Sequence, residues 1–220
     1  MIKACLFDFD YTLVDSHVGI VKCFRIVLER HKFTSVNDDA IKRTIGKTLE
    51  KSFSILTGIT DDKELFKLRE EYRKEADVYM NPNTHLFPDT VSTLTTLKES
   101  GLMVGIISTK YRFRFMEVMN KHFAANFFNI LIGNEDIKQP KPHPESIYQA
   151  LDELHIHPDE MIYVGDSTVD GETAKNAAVP FVGVTTGMTT EHELATYPHL
   201  AIINSLQELP TIIEKRSIFC

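Results

Sequence analysis

The spacing of hydrophobic residues changes along the chain. From about Pro88 onward, short apolar runs of strand length alternate with segments whose apolar residues recur every three or four positions, as in amphipathic helices. The first of these helical segments carries Val91, Leu94 and Leu97 on one face. The predicted strands are residues 102–107, 128–132, 161–164, 180–184 and 200–203. Regular alternation of helix and strand predicts an α/β fold with a Rossmann-like parallel sheet and helices on both of its faces.

The amino-terminal part of the chain combines one strand with a long helical stretch. Residues 2–7 include an apolar run, which predicts a strand of the same sheet, buried on both faces. The following stretch contains no predicted strand, and its helices include residues 38–45 and 48–57, which end at Gly46 and Gly58. We therefore predict an α/β core made of residues 1–14 and 84–220, with residues 15–83 inserted as a helical domain.

Polar side chains follow several of the predicted strands at the point where each strand ends. In an open parallel sheet the carboxyl ends of the strands share one edge, where ligands bind. Carboxylates at that edge repel each other unless a cation keeps them ionised, and Mg²⁺ prefers carboxylates, waters and phosphate oxygens. Mg²⁺ is therefore the expected cofactor. The polar residues at or just beyond the strand ends are Asp8, Asp10, Ser108, Thr109, Lys141, Asp166 and Asp170.

Carboxylates, a hydroxyl group and a lysine are together the groups that phosphoryl transfer requires. A carboxylate can act as the nucleophile and form an aspartyl phosphate, while a cation, a lysine and hydrogen-bond donors stabilise the transferring group. Each residue alone also has a structural explanation. Ser108 or Thr109 could cap the next helix, Lys141 could be a solvated loop residue, and Asp166 and Asp170 could be a helix cap and an exposed acid of its first turn. Their joint occurrence favours catalysis.

Composition narrows the class of protein. The chain has 24 basic and 31 acidic residues, and a formal charge of −7 argues against a nucleic-acid-binding surface. Its cysteines, Cys5, Cys23 and Cys220, form no CxxC pair, which fits a reducing cytoplasm. We find no signal peptide and no apolar run near the ~20 residues of a membrane helix. We expect a cytoplasmic monomer or weak dimer that binds a small phosphorylated metabolite, but no nucleic acid and no membrane.

The polar motifs resemble those of the haloacid dehalogenase-like hydrolases. Within that family the chain looks like the phosphoglycolate phosphatase-like branch, in which a helical cap closes over the site, and residues 15–83 match that cap. The resemblance covers essentially the whole chain. It rests on Asp8-Phe9-Asp10-Tyr11-Thr12-Leu13, Ile107-Ser108-Thr109-Lys110, Lys141-Pro142-His143-Pro144 and Gly165-Asp166-Ser167-Thr168-Val169-Asp170.

The resemblance implies a role for each catalytic residue. Asp8 would be the nucleophile, and Asp10 the acid that protonates the leaving group and then activates water. Ser108 and Lys141 would hold the transferring phosphoryl group. Thr109 would lie beside them as a substrate-binding residue.

The resemblance also implies a metal site. Mg²⁺ would be bound by Asp8, by the backbone carbonyl of Asp10 and by Asp166. Asp170 would be a ligand through water or would support the ligands from behind. The chain departs from the family pattern at Tyr11, where most relatives carry Gly. A tyrosine there could narrow the mouth of the site or contact the cap.

The leading hypothesis is an Mg²⁺-dependent phosphatase that acts on a small, phosphoglycolate-like metabolite through an aspartyl phosphate. An inorganic pyrophosphatase and a phosphosugar mutase of the β-phosphoglucomutase type are alternatives, since the core motifs bind only the phosphoryl group and the metal. A signalling receiver, which also surrounds a phosphorylatable Asp with acids, Mg²⁺ and a Lys, fits poorly. Receivers usually lack both a helical insertion after the first strand and the second acid, here Asp10.

Substrate specificity is expected to come from the inserted helices, because they would meet the leaving group when the cap closes. Lys47 lies in a turn that resembles the substrate-contacting loop of relatives, with Arg43 one helical turn before it. Lys47→Ala should raise KM for an anionic substrate roughly tenfold or more, the scale of a charge-assisted hydrogen bond. KM for neutral p-nitrophenyl phosphate should barely change. An equal rise in KM for both substrates would mean that Lys47 has a structural role. No change in either KM would mean that Lys47 is a solvated surface residue.

Overall fold

The computed structural model describes residues 1–218, so Cys220 lies outside the described residues. The chain divides into two compact units, one made of residues 1–14 and the residues from 86 onward, the other of residues 15–85. The predicted insertion spans residues 15–83, so it begins at the same residue as the second unit and ends two residues before that unit does.

Helices and strands are numbered here in chain order. The strands are β1 Ala4–Phe7, β2 Val14–Asp15, β3 His85–Leu86, β4 Met103–Ile107, β5 Ile130–Ile132, β6 Met161–Gly165, β7 Phe181–Val184 and β8 Ala201–Ile203. The helices are α1 His17–Arg30, α2 Asp38–Lys42, α3 Leu49–Thr57, α4 Asp62–Tyr79, α5 Thr90–Glu99, α6 Arg112–Met119, α7 Glu145–Leu154, α8 Thr168–Ala177, α9 Glu191–Leu194 and α10 Leu209–Ile218.

The first unit is built on a six-stranded parallel sheet with the strand order β5-β4-β1-β6-β7-β8. β1 lies inside the sheet, where its Phe7 is in register with Ile106 of β4 and with Val164 of β6. The predicted parallel α/β sheet is confirmed. Because every pairing is parallel, the loops that follow β1, β4 and β6 leave the sheet at one edge. The strands β2 and β3 pair with each other outside this sheet, and at two residues each they are too short for hydrophobic spacing to predict.

Side chains of β1 alternate between the two faces of the sheet. Cys5 and Phe7 belong to one hydrophobic cluster, which α5, α6 and α10 cover. Ala4 and Leu6 belong to the cluster on the opposite face, which α7, α8 and α9 cover. A strand that is buried on both faces reads as a continuous apolar run, which is the pattern that the sequence shows.

The buried face of α5 does not include Val91. Val91 is 38% exposed, whereas Leu94 and Leu97 of the same predicted helix are buried. Thr90 is buried with them, because its hydroxyl donates a 2.7 Å hydrogen bond to the carbonyl of Leu13 and is therefore satisfied inside the protein. The buried positions of α5 have the helical spacing i, i+3, i+4, i+7 and are Thr90, Thr93, Leu94 and Leu97.

α2 also ends earlier than predicted, at Lys42 instead of residue 45. Beyond that point the N–H groups of Thr44 and Ile45 donate to carbonyls three residues earlier, and the Thr44 hydroxyl donates to the carbonyl of Ile41 at 2.7 Å. Such bonds tighten the backbone into turns that compete with the helix. Gly46, with φ of +92°, completes the reversal.

The second unit has its own hydrophobic core, built by α1, α3 and α4. The rings of Phe24, Phe53 and Tyr72 meet there, with centroids 4.8 Å apart between Phe24 and Phe53 and 4.7 Å apart between Phe24 and Tyr72. Phe53 is fully buried, so its ring fills the space between the helices. Tilted aromatic pairs at these distances add to the stabilisation that burial provides.

Phe53→Ala should destabilise this unit by about 3–5 kcal/mol, because the substitution removes a buried ring and leaves a cavity. Urea unfolding measures the change as a lower midpoint. Ile55→Ala, on the exposed side of the same helix, is the matched control and should stay within about 0.5 kcal/mol of the wild type. Equal shifts in the two variants would contradict the assignment of Phe53 to the core.

Candidate active site

The site begins where β1 ends. Asp8 follows Phe7 directly, is 2% exposed, and its N–H donates to the carbonyl of Val164 at 2.9 Å. The chain then turns sharply, with Leu13 N–H bonded to the carbonyl of Phe9 at 2.9 Å. This hydrogen-bonded turn keeps the carboxyl group of Asp8 at the edge of the sheet.

The side chain of Lys141 links the residue that follows β1 to residues of β6 and α8. Its Nζ lies 2.7 Å from Oδ1 of Asp8, 2.7 Å from Oδ1 of Asp170 and 2.9 Å from the hydroxyl of Tyr163. An ammonium group has three hydrogens, so these three partners use all of them. Lys141 is 5% exposed, which excludes the alternative of a solvated loop lysine.

Asp170 lies in the first turn of α8 and is fully buried. Ser167, not Asp166, caps that helix, and the Asp170 side chain accepts from the Ser167 N–H at 3.2 Å and from its hydroxyl at 2.5 Å. The other oxygen of Asp170 accepts from Lys141 and from the hydroxyl of Tyr163. The alternative of a capping Asp166 and an exposed Asp170 is therefore wrong. The four contacts hold Asp170 as a rigid support for Lys141.

Asp8, Asp166 and Asp170 form a buried acidic cluster in which one oxygen from each carboxylate lies within 4.8 Å of the others. Oδ2 of Asp8 is buried and has no hydrogen-bond partner among the described residues. Asp166 has a weak contact of 3.4 Å with the hydroxyl of Thr12. A buried carboxylate oxygen without a partner is costly, and oxygen ligands suit a hard divalent cation. The residues present therefore fit a cation held by Asp8 and Asp166.

The charges and the burial of the cluster also favour a bound cation. Burial raises the pKa of Asp8 to about 7, with Asp170 adding to the rise and Lys141 opposing it. Burial, followed by the charges of Asp170 and Asp8, holds the pKa of Asp166 well above its usual value. Burial alone would lower the pKa of Lys141, but the two acids beside it outweigh burial and raise it. One ammonium group does not balance three buried carboxylates, so the cluster attracts further positive charge.

Asp10 lies outside the cluster and forms an ion pair with Lys110. Nζ of Lys110 contacts both carboxylate oxygens of Asp10, at 2.6 and 2.7 Å. The sequence analysis assigned no role to Lys110 and none to Tyr163. Each carries a signal that could have found it, because Lys110 follows the Ser108-Thr109 pair at a strand end and Tyr163 places a hydroxyl in an otherwise apolar strand.

Ser108 and Thr109 follow β4. Ser108 is buried, its N–H donates to the carbonyl of Ile132 at 3.0 Å, and its Oγ accepts from the N–H of Lys110 at 3.1 Å. Its side chain thus closes a turn and does not cap α6, whose N-cap is Tyr111. Thr109, the other residue of the pair, is half-buried.

Arg43 and Lys47 belong to the second unit. Arg43 directly follows α2, and Lys47 lies two residues before the start of α3, where its N–H donates to the carbonyl of Thr44 at 3.1 Å. Their assignment to substrate binding stays a prediction.

A family described as haloacid dehalogenase-like hydrolase matches residues 5–184. The chain belongs to this family. A phosphoglycolate phosphatase of Yersinia pseudotuberculosis is 28% identical over 216 residues, which cover 96% of this chain and 93% of that protein. Pyrophosphatase PpaX of Oceanobacillus iheyensis is 26% identical over 212 residues, with 96% and 97% covered.

Solved structures of the family agree with this assignment. A structure from Bacteroides fragilis, named as a haloacid dehalogenase-like hydrolase, shares 57% sequence identity and a TM-score of 0.93, and the match covers 95% of this chain and all of that one. The predictions of the family, of its α/β fold and of an enzyme are confirmed. No helix among the described residues is long and apolar enough to cross a membrane.

Asp166→Asn should stabilise the metal-free protein and remove its response to Mg²⁺. In EDTA the variant lacks one of three mutually repelling charges, so its Tm should exceed that of the wild type by a few degrees. Millimolar MgCl₂ should raise the Tm of the wild type by mass action and leave the variant unchanged. Thermal unfolding of both proteins in both buffers measures these shifts. If MgCl₂ leaves the Tm of the wild type unchanged, the proposed metal site is wrong.

The gain in EDTA should also depend on pH. The pKa of Asp166 is raised in the folded protein, so ionised Asp166 destabilises the fold as pH rises from its unfolded pKa, about 3.9, through the folded value. The variant's advantage should vanish near about pH 4, where the wild type is protonated, and should grow as the pH rises above that value. Asp152→Asn, at an exposed position, is the control. A gain that is constant with pH would contradict this electrostatic origin.

Proposed function

We propose that the chain is an Mg²⁺-dependent phosphatase that hydrolyses a small phosphorylated metabolite through an aspartyl phosphate on Asp8. The carboxylate of Asp8 carries this proposal. Its Oδ1 is held by Lys141 at 2.7 Å, while its buried Oδ2 has no partner among the described residues. A nucleophilic carboxylate must be held in place and kept ionised, and Lys141 together with a cation on the unpartnered oxygen would do both for Asp8 at the end of β1.

The reaction proceeds in two displacements. A carboxylate oxygen of Asp8 attacks phosphorus, the bond from phosphorus to the ester oxygen breaks, and protonated Asp10 gives its proton to the departing alcohol. Water then attacks the aspartyl phosphate and loses a proton to the Asp10 carboxylate. Inorganic phosphate leaves, and Asp8 and protonated Asp10 are regenerated. Lys110 lies 2.6 and 2.7 Å from the two oxygens of Asp10, an arrangement that fits the carboxylate form, which accepts the proton from water in the second step.

The charge of the phosphoryl group is met from several directions. Lys141 stabilises it from one side, and its own position is fixed by Asp170 and Tyr163. The hydroxyl oxygen of Ser108 accepts from the N–H of Lys110, which leaves the hydroxyl hydrogen to donate to a phosphoryl oxygen. When bound by Asp8 and Asp166, Mg²⁺ would neutralise charge on the phosphoryl oxygens.

Two substrate classes follow from the relatives. The name of the Yersinia pseudotuberculosis protein supports a short, anionic ester such as phosphoglycolate, and the name of the Oceanobacillus iheyensis protein supports pyrophosphate as the second candidate. We favour the anionic ester, with residues 15–85 acting as the cap and Lys47 and Arg43 meeting its second negative charge. A panel of phosphate esters that includes 2-phosphoglycolate and pyrophosphate, assayed for released phosphate with MgCl₂, tests this choice. Release from pyrophosphate alone would establish the second candidate.

Asp8→Asn should abolish phosphate release while the fold is retained, because only the nucleophilic charge is lost. Residues that act as part of a catalytic unit typically contribute several orders of magnitude in rate. Phosphate release with the best ester of the panel measures the loss, and circular dichroism checks the fold. Asp159→Asn, an exposed acid, is the control and should keep wild-type activity. More than about a tenth of wild-type activity in Asp8→Asn would exclude the aspartyl phosphate.

A further inference from the structure

The loop after β7 contacts the site, although the sequence motifs give it no role. The hydroxyl of Thr186 donates a hydrogen bond to the backbone carbonyl of Tyr11. The next residue, Gly187, lies against the carboxylate of Asp166. A Cβ atom built on Gly187 would collide with Oδ2 of Asp166 and would lie 3.2 Å from the Cβ of Tyr11. The loop therefore touches both the turn after the nucleophile and a proposed metal ligand.

Tyr11 has an unusual backbone conformation, with φ of +59°. This left-handed region suits glycine and is unfavourable for a residue with a side chain. The turn is held at both of its peptide groups. The N–H of Tyr11 donates to the carbonyl of Val14 at 2.8 Å, and its carbonyl accepts from Thr186.

We propose that Thr186 and Gly187 are positioning residues of the metal site. Thr186 keeps Tyr11 in the left-handed turn, and that turn sets the direction of the preceding carbonyl, which belongs to Asp10. Gly187 supports Asp166 from the side and leaves room for its carboxylate. The inference rests on the proposed function, since it concerns the Mg²⁺ site on which that function depends.

The identity of residue 11 makes this anchor necessary. A glycine would adopt a positive φ without strain, so its turn would need no external support. Without the hydroxyl of Thr186, the Tyr11 carbonyl loses this hydrogen bond while the bond from the Tyr11 N–H to Val14 remains, so the backbone relaxes more easily toward conformations that a tyrosine prefers. The carbonyl of Asp10 then turns away, and the site loses affinity for Mg²⁺.

Thr186→Val removes the hydroxyl and keeps the shape of the side chain. We expect Mg²⁺ affinity, measured by calorimetry on the full chain without substrate, to fall about 10- to 100-fold, the usual effect of losing a group that supports a metal ligand. Thr186→Ser keeps the hydroxyl and should bind Mg²⁺ like the wild type.

Thr185→Val is the matched control. The hydroxyl of Thr185 bonds to Asn204 at 2.7 Å and to the carbonyl of Ile203 at 3.3 Å, so it ties the same loop to the end of β8. Its loss should leave Mg²⁺ affinity within about twofold of the wild type, since these partners are not metal ligands. Equal affinity losses in Thr185→Val and Thr186→Val would reduce Thr186 to a general loop anchor and overturn the proposal.

A double variant tests the route through Tyr11. Tyr11→Gly in the Thr186→Val background should recover part of the lost affinity, because glycine holds the positive φ unaided. No recovery, relative to Tyr11→Gly alone, would overturn the link between Thr186 and the turn.

Gly187→Ala tests the contact between the loop and Asp166 without changing Thr186. This variant therefore still tests the proposal if Thr186→Val does not fold. Its added methyl group displaces the Asp166 carboxylate, so Mg²⁺ affinity should fall, and circular dichroism checks that the fold is kept. Wild-type affinity in this variant would overturn the role of Gly187. A wild type that binds no Mg²⁺ would instead overturn the metal site itself, and so the proposed function.

Discussion

A single buried ammonium group faces three buried carboxylates at the edge of the sheet, and the site is arranged around this imbalance. Lys141 contacts Asp8 and Asp170 at 2.7 Å each, which compensates for part of the cost of burying them. The remaining negative charge is shared by Asp8 and Asp166, and a divalent cation bound by both would compensate for it. The fold must be rigid here, because charges this close are tolerated only in a fixed geometry.

That rigidity comes from the sheet and from polar groups behind the reacting ones. Tyr163 and Ser167 bind Asp170, which binds Lys141, which binds Asp8, so the proposed nucleophile is the last member of a hydrogen-bonded chain. The chain begins inside β6 and at the first turn of α8. The loops that carry Asp8 and Lys141 are thereby fixed by bonds to regular secondary structure, which positions side chains more precisely than loops alone do.

The sequence predicts most of this fold because both faces of the sheet are buried, and a doubly buried strand leaves a clear apolar run. It also predicts Asp8, Lys141, Asp166 and Asp170 as neighbours, and the structure brings them together. The position of Lys110 at a strand end marks it as a candidate, but spacing does not reveal Asp10 as its partner, since the two residues are 100 positions apart in the chain. The positive φ of Tyr11 is equally hidden, because one residue's identity does not report its backbone angle.

The first unit is discontinuous along the chain, and this has a consequence for how the protein is made. During synthesis β1 leaves the ribosome first, yet its neighbours β4 and β6 begin at Met103 and Met161. The helical unit between them is contiguous and can bury its own core as soon as it is complete. The strand that precedes Asp8 therefore has no sheet partner until β4 has been made, and it has both of its partners only once β6 exists. Until then the apolar side chains of β1 lack the neighbouring strands that bury them in the folded protein.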